Sequence, residues 1–302
     1  MVRQTLQPDV YVSNVQGQGR ELSAPRRLTL DERDDYPFAW TPDNRSVLFV
    51  SNCDGTYHIF KQTADQTTPE LLLGGVQQLF DPRLTLNGES ITFIVTPKMG
   101  TASTGVRLMR MPLGGGPPQE IAERDGINNQ QCARSPATLC LFSTIDQKRE
   151  RFFRFDPAGG TPIEIPQLAI ESVDYSTYNW SLSPDGTTLA TSVRRRTSGG
   201  RVSEVPAVKL TSLNGFTTRV IQIQNWTTLS SIDWADGKSV WAAAHNTNNA
   251  SALLNFDVNG RITPMLHEDK MVLGWAIPSA DGRRLAFWKA SGNSNVWMLE
   301  RF

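Results

Sequence analysis

"WSLSPDGTTLATSV" (180–193) reads as two short strands joined by a tight turn. Trp180 and Leu182 alternate with polar neighbours, Ser183-Pro184-Asp185-Gly186 reverses the chain, and Leu189 to Val193 forms the second strand. Proline presets the φ of a turn residue, a short carboxylate bonds the backbone amide two residues on, and glycine accepts a positive φ. A hairpin this small cannot bury its own apolar side chains. Other parts of the chain must cover both faces.

The same hairpin recurs. It is found in "FAWTPDNRSVLFVSN" (38–52), "PRLTLNGESITFIV" (82–95), "CARSPATLCLFS" (132–143), "SIDWADGKSVWAAA" (231–244) and "GWAIPSADGRRLAFW" (274–288). The copies stand about 44 to 51 residues apart, the spacing of propeller blades. A second hairpin fills each interval, as in "YHIFKQ" with "PELLL" or "RFFRFD" with "PIEIP", and its turn carries Gly114-Gly115-Gly116, Gly159-Gly160, Asn214-Gly215 or Asn259-Gly260. No segment holds a helical period over 11 residues or more. The expected fold is all-β: a β-propeller of six blades, each of four antiparallel strands, in which every blade shields its neighbours' apolar faces. Since no blade can fold alone, residues 1–302 are expected to form a single domain.

A ring must also close. "SNVWMLERF" (294–302) reads as the third strand of the last unit and "PRRLTL" (25–30) as its missing fourth, so that the N-terminal stretch at about 9–30 would complete the sheet of residues 274–302 and cover its edge. "DVYVSNV" (9–15) competes for the third place, which leaves open an extra edge strand, a seven-bladed propeller, or a chain cut from a longer protein.

Composition narrows the function classes. Hydrophobic residues are 39% and charged residues 20% of the 302, as in an ordinary globular protein. Thirty Lys and Arg balance thirty Asp and Glu, so no long-range field draws nucleic acid or anionic lipid. No apolar run reaches the length of a membrane span, and the N-terminus has no apolar core of a signal peptide, so any targeting segment is expected upstream. Cys132 and Cys140 flank a turn; if their strands pair antiparallel, the two can form a disulfide, which needs an oxidising compartment, and otherwise they are small buried residues. Cys53 reads as a turn or packing residue.

The units resemble the TolB-like, WD40-like (PD40) repeat: S/T-P-D-G, an apolar strand, then N-x-D/N-G-x-x-x-I-[FW]. Thr41-Pro42-Asp43, Ser51-Asn52-Cys53-Asp54-Gly55 and Ile59-Phe60 carry that pattern. It returns in Ser183-Pro184-Asp185-Gly186, and in Ser279-Ala280-Asp281-Gly282 with Asn295-Val296-Trp297. "RRLTLDERDDYPFAWTPDNRSVLFVSNCDGTYHIFKQ" and "NSNVWML" also resemble the propeller part of acidobacterial multidomain sensor or kinase proteins. That resemblance implies an extracytoplasmic propeller following a kinase or winged-helix region in a longer parent. Residues 127–143 depart from the pattern by losing Asp-Gly, and "RRRTSGGR" (194–201) reads as an inserted, exposed loop.

Motifs of catalysis are missing from the sequence. It contains no G-x-S-x-G, H-E-x-x-H, Walker or kinase motif, and His58, His245 and His267 fall in different units. No metal site, cofactor or catalytic residue is therefore expected. The turn aspartates Asp43, Asp185, Asp236 and Asp281 are read as structural, and Trp40, Trp180, Trp234, Trp275 and Trp297 as packing between blades. The residues that begin the first strands remain as candidates for ligand binding at the channel mouth: Asp34, Asp35 and Tyr36 in "DERDDY"; Asp81 and Arg83; Asn128 and Asn129 in "GINNQQCARS"; Tyr178 and Asn179. A rim of mixed charge suits a protein or small-molecule ligand held by many weak contacts. The expected function is a non-enzymatic binding, sensor or scaffold propeller. The alternative is a polymer-acting lyase or hydrolase, which requires a His, Tyr or carboxylate pair in hydrogen-bonding reach at the mouth.

Overall fold

The computed structural model describes residues 3–17, 19–53, 55–97, 105–146, 149–171, 179–193, 206–248 and 250–295. Apart from one short 3-10 turn (Pro166–Leu168), their regular structure is all β. The chain forms six antiparallel sheets, the blades of a propeller, five of four strands and the last with the short Glu21–Leu22 as a fifth. Blades 1 to 5 follow the chain, and their innermost strands are Asp35–Trp40, Gln78–Leu84, Ile127–Cys132, Trp180–Leu182 and Thr228–Trp234. Met271–Pro278 begins blade 6 and pairs with Arg284–Asn295.

Each of the six repeated hairpins supplies the first and second strands of one blade, and the apolar second strands explain why. In blade 1, Leu48 and Val50 pack toward blade 2, while Val47 and Phe49 pack toward blade 6. Side chains alternate faces along a strand, so a strand buried on both faces reads as an unbroken apolar run. Blade 5 repeats this: Val240, Ala242 and Ala244 face blade 4, whereas Trp241 and Ala243 face blade 6. Each of the six core clusters lies between two neighbouring blades, so the apolar surface of every hairpin is buried by the next sheet.

The turns match the chemistry of their residues. Asp185 Oδ1 accepts the Ser183 hydroxyl at 2.6 Å and the Thr187 amide at 3.0 Å, and Asp43 and Asp281 do the same in blades 1 and 6. These bonds hold the three carboxyls below the usual range.

The last sheet differs from the sequence expectation. Its third place belongs to Arg3–Gln16, which pairs with Arg284–Asn295 from Arg3 opposite Asn295 to Asn14 opposite Arg284. Arg26–Arg27 pairs in turn with Tyr11 and Val12. Ser294 and Asn295 end the second strand rather than starting a third, and residues 296–302, with Trp297, lie outside the described residues. The physical reason is burial on both faces. Val10 and Val12 enter the core between blades 6 and 1, while Tyr11 and Val15 pack against the core between blades 5 and 6.

Candidate functional site

Five of the six innermost strands carry a β-bulge, and an extra residue in a strand re-aims side chains. The bulge of blade 2 falls between Phe80 and Arg83 and holds Asp81 at φ 52°. It sends Arg83 across the molecular axis. Arg83 Nε donates to Asp81 Oδ1 at 2.9 Å, while Nη1 donates to the Phe38 carbonyl of blade 1 at 2.8 Å and to Asp233 Oδ2 of blade 5 at 2.9 Å. Burial pushes the Asp81 carboxyl up to about 6 and raises Asp233, although the guanidinium between them pulls both down.

Further bonds carry this cluster around the ring. Gln130 of blade 3 donates its amide to Asp81 Oδ2 at 3.0 Å and its side chain to the Asp81 carbonyl at 2.8 Å. Gln131 Oε1 accepts from Ser181 Oγ and the Leu182 amide of blade 4. Trp234 of blade 5 donates to Ser181, and Trp40 Nε1 of blade 1 donates to the Ile277 carbonyl of blade 6. The axis is thus crossed by a guanidinium shared among blades 1, 2 and 5.

A cavity of about 290 Å³ opens beyond this cluster, on the face where the innermost strands run into their turns. Its wall is largely apolar, with Leu84, Leu86, Leu182 and Ile277 among the prolines Pro42, Pro184 and Pro278. Arg83 and Asp233 stand at its base and Arg134 at its side. Arg134 follows the innermost strand of blade 3 and reaches over the axis: Nη1 donates to the Ala235 carbonyl of blade 5 at 3.3 Å and the Ala280 carbonyl of blade 6 at 3.2 Å. Burial lowers its pKa.

Of the strand-start residues singled out from the sequence, Arg83 alone lines this cavity. Asp81 is fully buried beneath it. Asp35 is fully buried beside Ser51 and Thr29, and burial pushes its carboxyl up to about 7. Asp34 and Tyr36 are half-buried, and Tyr36 packs against Trp275 with ring centroids 4.7 Å apart. Asn128 is half-buried; Asn129 is buried and donates to the Trp180 carbonyl at 3.1 Å. Asn179 donates to Glu150 Oε2 at 2.7 Å, and burial raises the Glu150 carboxyl. Tyr178 and the loop 194–201 lie outside the described residues. Several of these side chains are buried and tie neighbouring strands or blades together.

Sequence reading missed Asp233 and Arg134. A signal existed for the second, because Arg134 precedes Ser135-Pro136 in the one hairpin that breaks the repeat. Cys132 and Cys140, directly opposite in register, are joined by a disulfide at the cavity wall. The three histidines fall in two blades rather than three units, His58 on the third strand of blade 1 and His245 and His267 on the second and fourth strands of blade 5; His58 bonds the Gly75 carbonyl, His245 Ser230 and His267 Asp269.

No family model matches the sequence, and comparison with curated proteins finds no match. Solved structures do match. A TolB from Agrobacterium tumefaciens superposes with a TM-score of 0.67 at 11% identity, over 95% of this chain and 99% of that one. The fold is that of a TolB-type propeller. TolB from Acinetobacter baumannii gives a TM-score of 0.60 at 15% identity, covering 95% of this chain and 65% of the other. Enzyme propellers share the architecture too: an oligogalacturonate lyase in complex with manganese matches with a TM-score of 0.51 at 12% identity, over 97% and 98% of the two chains. At such identities the likeness concerns fold, and function has to be argued from the site.

Proposed function

We propose that this propeller is a non-enzymatic binding module that holds a protein segment or small ligand in the axial cavity of its turn face. One observation carries the reading: the cavity is concave, mostly apolar, closed at its base by the Arg83 cluster and supplied with a few converging polar groups. Its size lies at the lower end of small-molecule sites, about 300–1,000 Å³. Such a lining offers shape, apolar contact and charge. The groups best suited to proton transfer, the histidines, sit off the innermost strands and do not line the cavity. A lyase or hydrolase reading, motivated by the enzyme propellers of like fold, would need its reacting groups at this cavity.

An extracytoplasmic setting belongs to the same proposal. Disulfides persist in oxidising compartments, and Cys132–Cys140 supports that placement. No helix among the described residues is long and apolar enough to cross a membrane. The module would act as a sensor or scaffold portion of a larger assembly, in line with the resemblance of its repeats to propellers that follow kinase or winged-helix regions.

The test is affinity selection from a displayed random-peptide library on the wild type, with Ala280→Trp as counter-target. Ala280 is exposed at the cavity wall, so an indole there blocks the opening without entering the core. Peptides retained by the wild type and lost on A280W are the expected result. Equal retention by both would remove the cavity from consideration as the binding site.

A further inference from the structure

We infer that the axial cavity takes the C-terminal carboxylate of a polypeptide, with the Arg134 guanidinium as its anchor. The inference rests on the cavity being the binding site and names what enters it. Three features lead there.

The cavity is a dead end. Arg83 bridges Asp81, Phe38 and Asp233 across the axis directly at its base, so a chain cannot thread through. About 290 Å³ suits the last residues of an extended chain better than a segment that enters, turns and leaves as two strands roughly 4.8 Å apart.

The two arginines of the cavity are not equivalent. Arg83 is charge-paired with two carboxylates and also bonded to a carbonyl, all within 2.9 Å. Arg134 makes two longer side-chain contacts, both to neutral carbonyl oxygens; Asp233 and Asp236 act on it only at longer range, and no carboxylate among the described residues forms an ion pair with it. A guanidinium presents a planar fork of donors that matches a carboxylate in a bidentate pair, and such a pair is strongest where water is excluded. Its half-buried position among prolines and leucines limits the water around it.

The remaining wall fits what precedes a carboxylate. Leu84, Leu86, Leu182 and Ile277 would receive an apolar terminal side chain, while Gln131, Thr85 and Asn87 offer polar groups to the last peptide units. Capture of a chain's terminal carboxylate is an established mode of peptide recognition.

The experiment uses two random heptapeptide libraries on the whole chain, one displayed with free C-termini and one with the random segment internal. Selected sequences are then synthesised as free acids and as C-terminal amides and titrated calorimetrically against wild type, R134K, R134M and A280W. The expected result is enrichment from the free-terminus library, affinity at least tenfold weaker for the amide, partial binding to R134K, and loss on R134M and A280W. Enrichment confined to the internal library, or equal affinity of acid and amide, overturns the carboxylate anchor while sensitivity to A280W leaves the cavity reading intact. Binding that ignores A280W overturns both. Failure to enrich either library on the wild type over A280W also counts against both. Should R134M not fold, acid against amide on the wild type still decides.

Discussion

Arg83 sends its donors in three directions, and each acceptor belongs to a different blade. Removing one partner of a buried ionic cluster strands the others, at a cost of about 3–5 kcal/mol, whereas neutralising all partners together costs much less. Arg83→Met should therefore lower unfolding free energy by about that amount in urea titrations, and D81N with D233N on the same background should recover part of it. Asp35 supplies a pH signature. Burial raises its carboxyl from the ordinary 3.8 to about 7, so between those values the folded chain binds a proton that the unfolded chain has lost. Its contribution to stability then declines as pH rises from about 4 to about 7, and levels off above. Asp35→Asn should flatten that decline, matching wild type near pH 4 and exceeding it at pH 8 in urea midpoints; an unchanged slope would show that Asp35 is not the group responsible. Asp81, raised to about 6, leaves a smaller slope of the same sign. These roles were hard to read in the sequence for one reason. Asp81 and Arg83 were visible as charged residues near the axis, but the bulge that carries Arg83 across to Asp233 depends on tertiary pairing, and a stranded view of "DPRL" cannot show it.

At the scale of the element, the six hairpins were legible because two independent signals coincide in each: a turn signature and an apolar second strand. Blade 3 shows the limit of that legibility. Its hairpin has neither Asp nor Gly in the turn, yet it forms, tied by the disulfide between opposed Cys132 and Cys140, and its departure from the repeat is where Arg134 leaves for the axis. Blade 6 hides another device. Gly274 lies under the Trp288 ring so closely that an added Cβ would stand 2.3 Å from it. Trp288 cannot easily retreat, since it packs edge-on against Tyr36 at 6.0 Å and Trp275 at 6.4 Å. Gly274→Ala should cost about 1–3 kcal/mol through overpacking, a loss read from the urea midpoint. Trp288→Leu should absorb much of that penalty in the double variant, because the smaller side chain makes room; strictly additive effects would mean the two residues do not oppose each other.

A ring of sheets is stable only if the last blade meets the first, and the first strand of the chain enforces that meeting. Arg3–Gln16 lies between Arg284–Asn295 and Arg26–Arg27 within its sheet, and it also buries Val10 and Val12 against Trp40, Val47 and Phe49 of blade 1. An ion pair between Arg27 and Asp9 at 2.7 Å fastens the outer edge. The sequence offered two segments, 294–302 and 9–15, for the third place of the last sheet. It could not rank them, because both alternate apolar and polar residues and only the facing blades reveal which one is covered twice. The consequence is testable with a chain lacking residues 1–30. The second strand of blade 6 would then present an open edge, and the core between blades 6 and 1 would lose Val10, Val12 and Leu28. Exposed strand edges pair with other copies. The truncated chain is expected to elute in larger assemblies than the wild type in size-exclusion chromatography with light scattering, and a synthetic peptide of residues 1–30 added during refolding should return it to the wild-type mass. A truncated chain that elutes no larger than the wild type and melts with wild-type cooperativity would mean that the ring is held by the contacts between blades alone, and that the N-terminal strand only ornaments it.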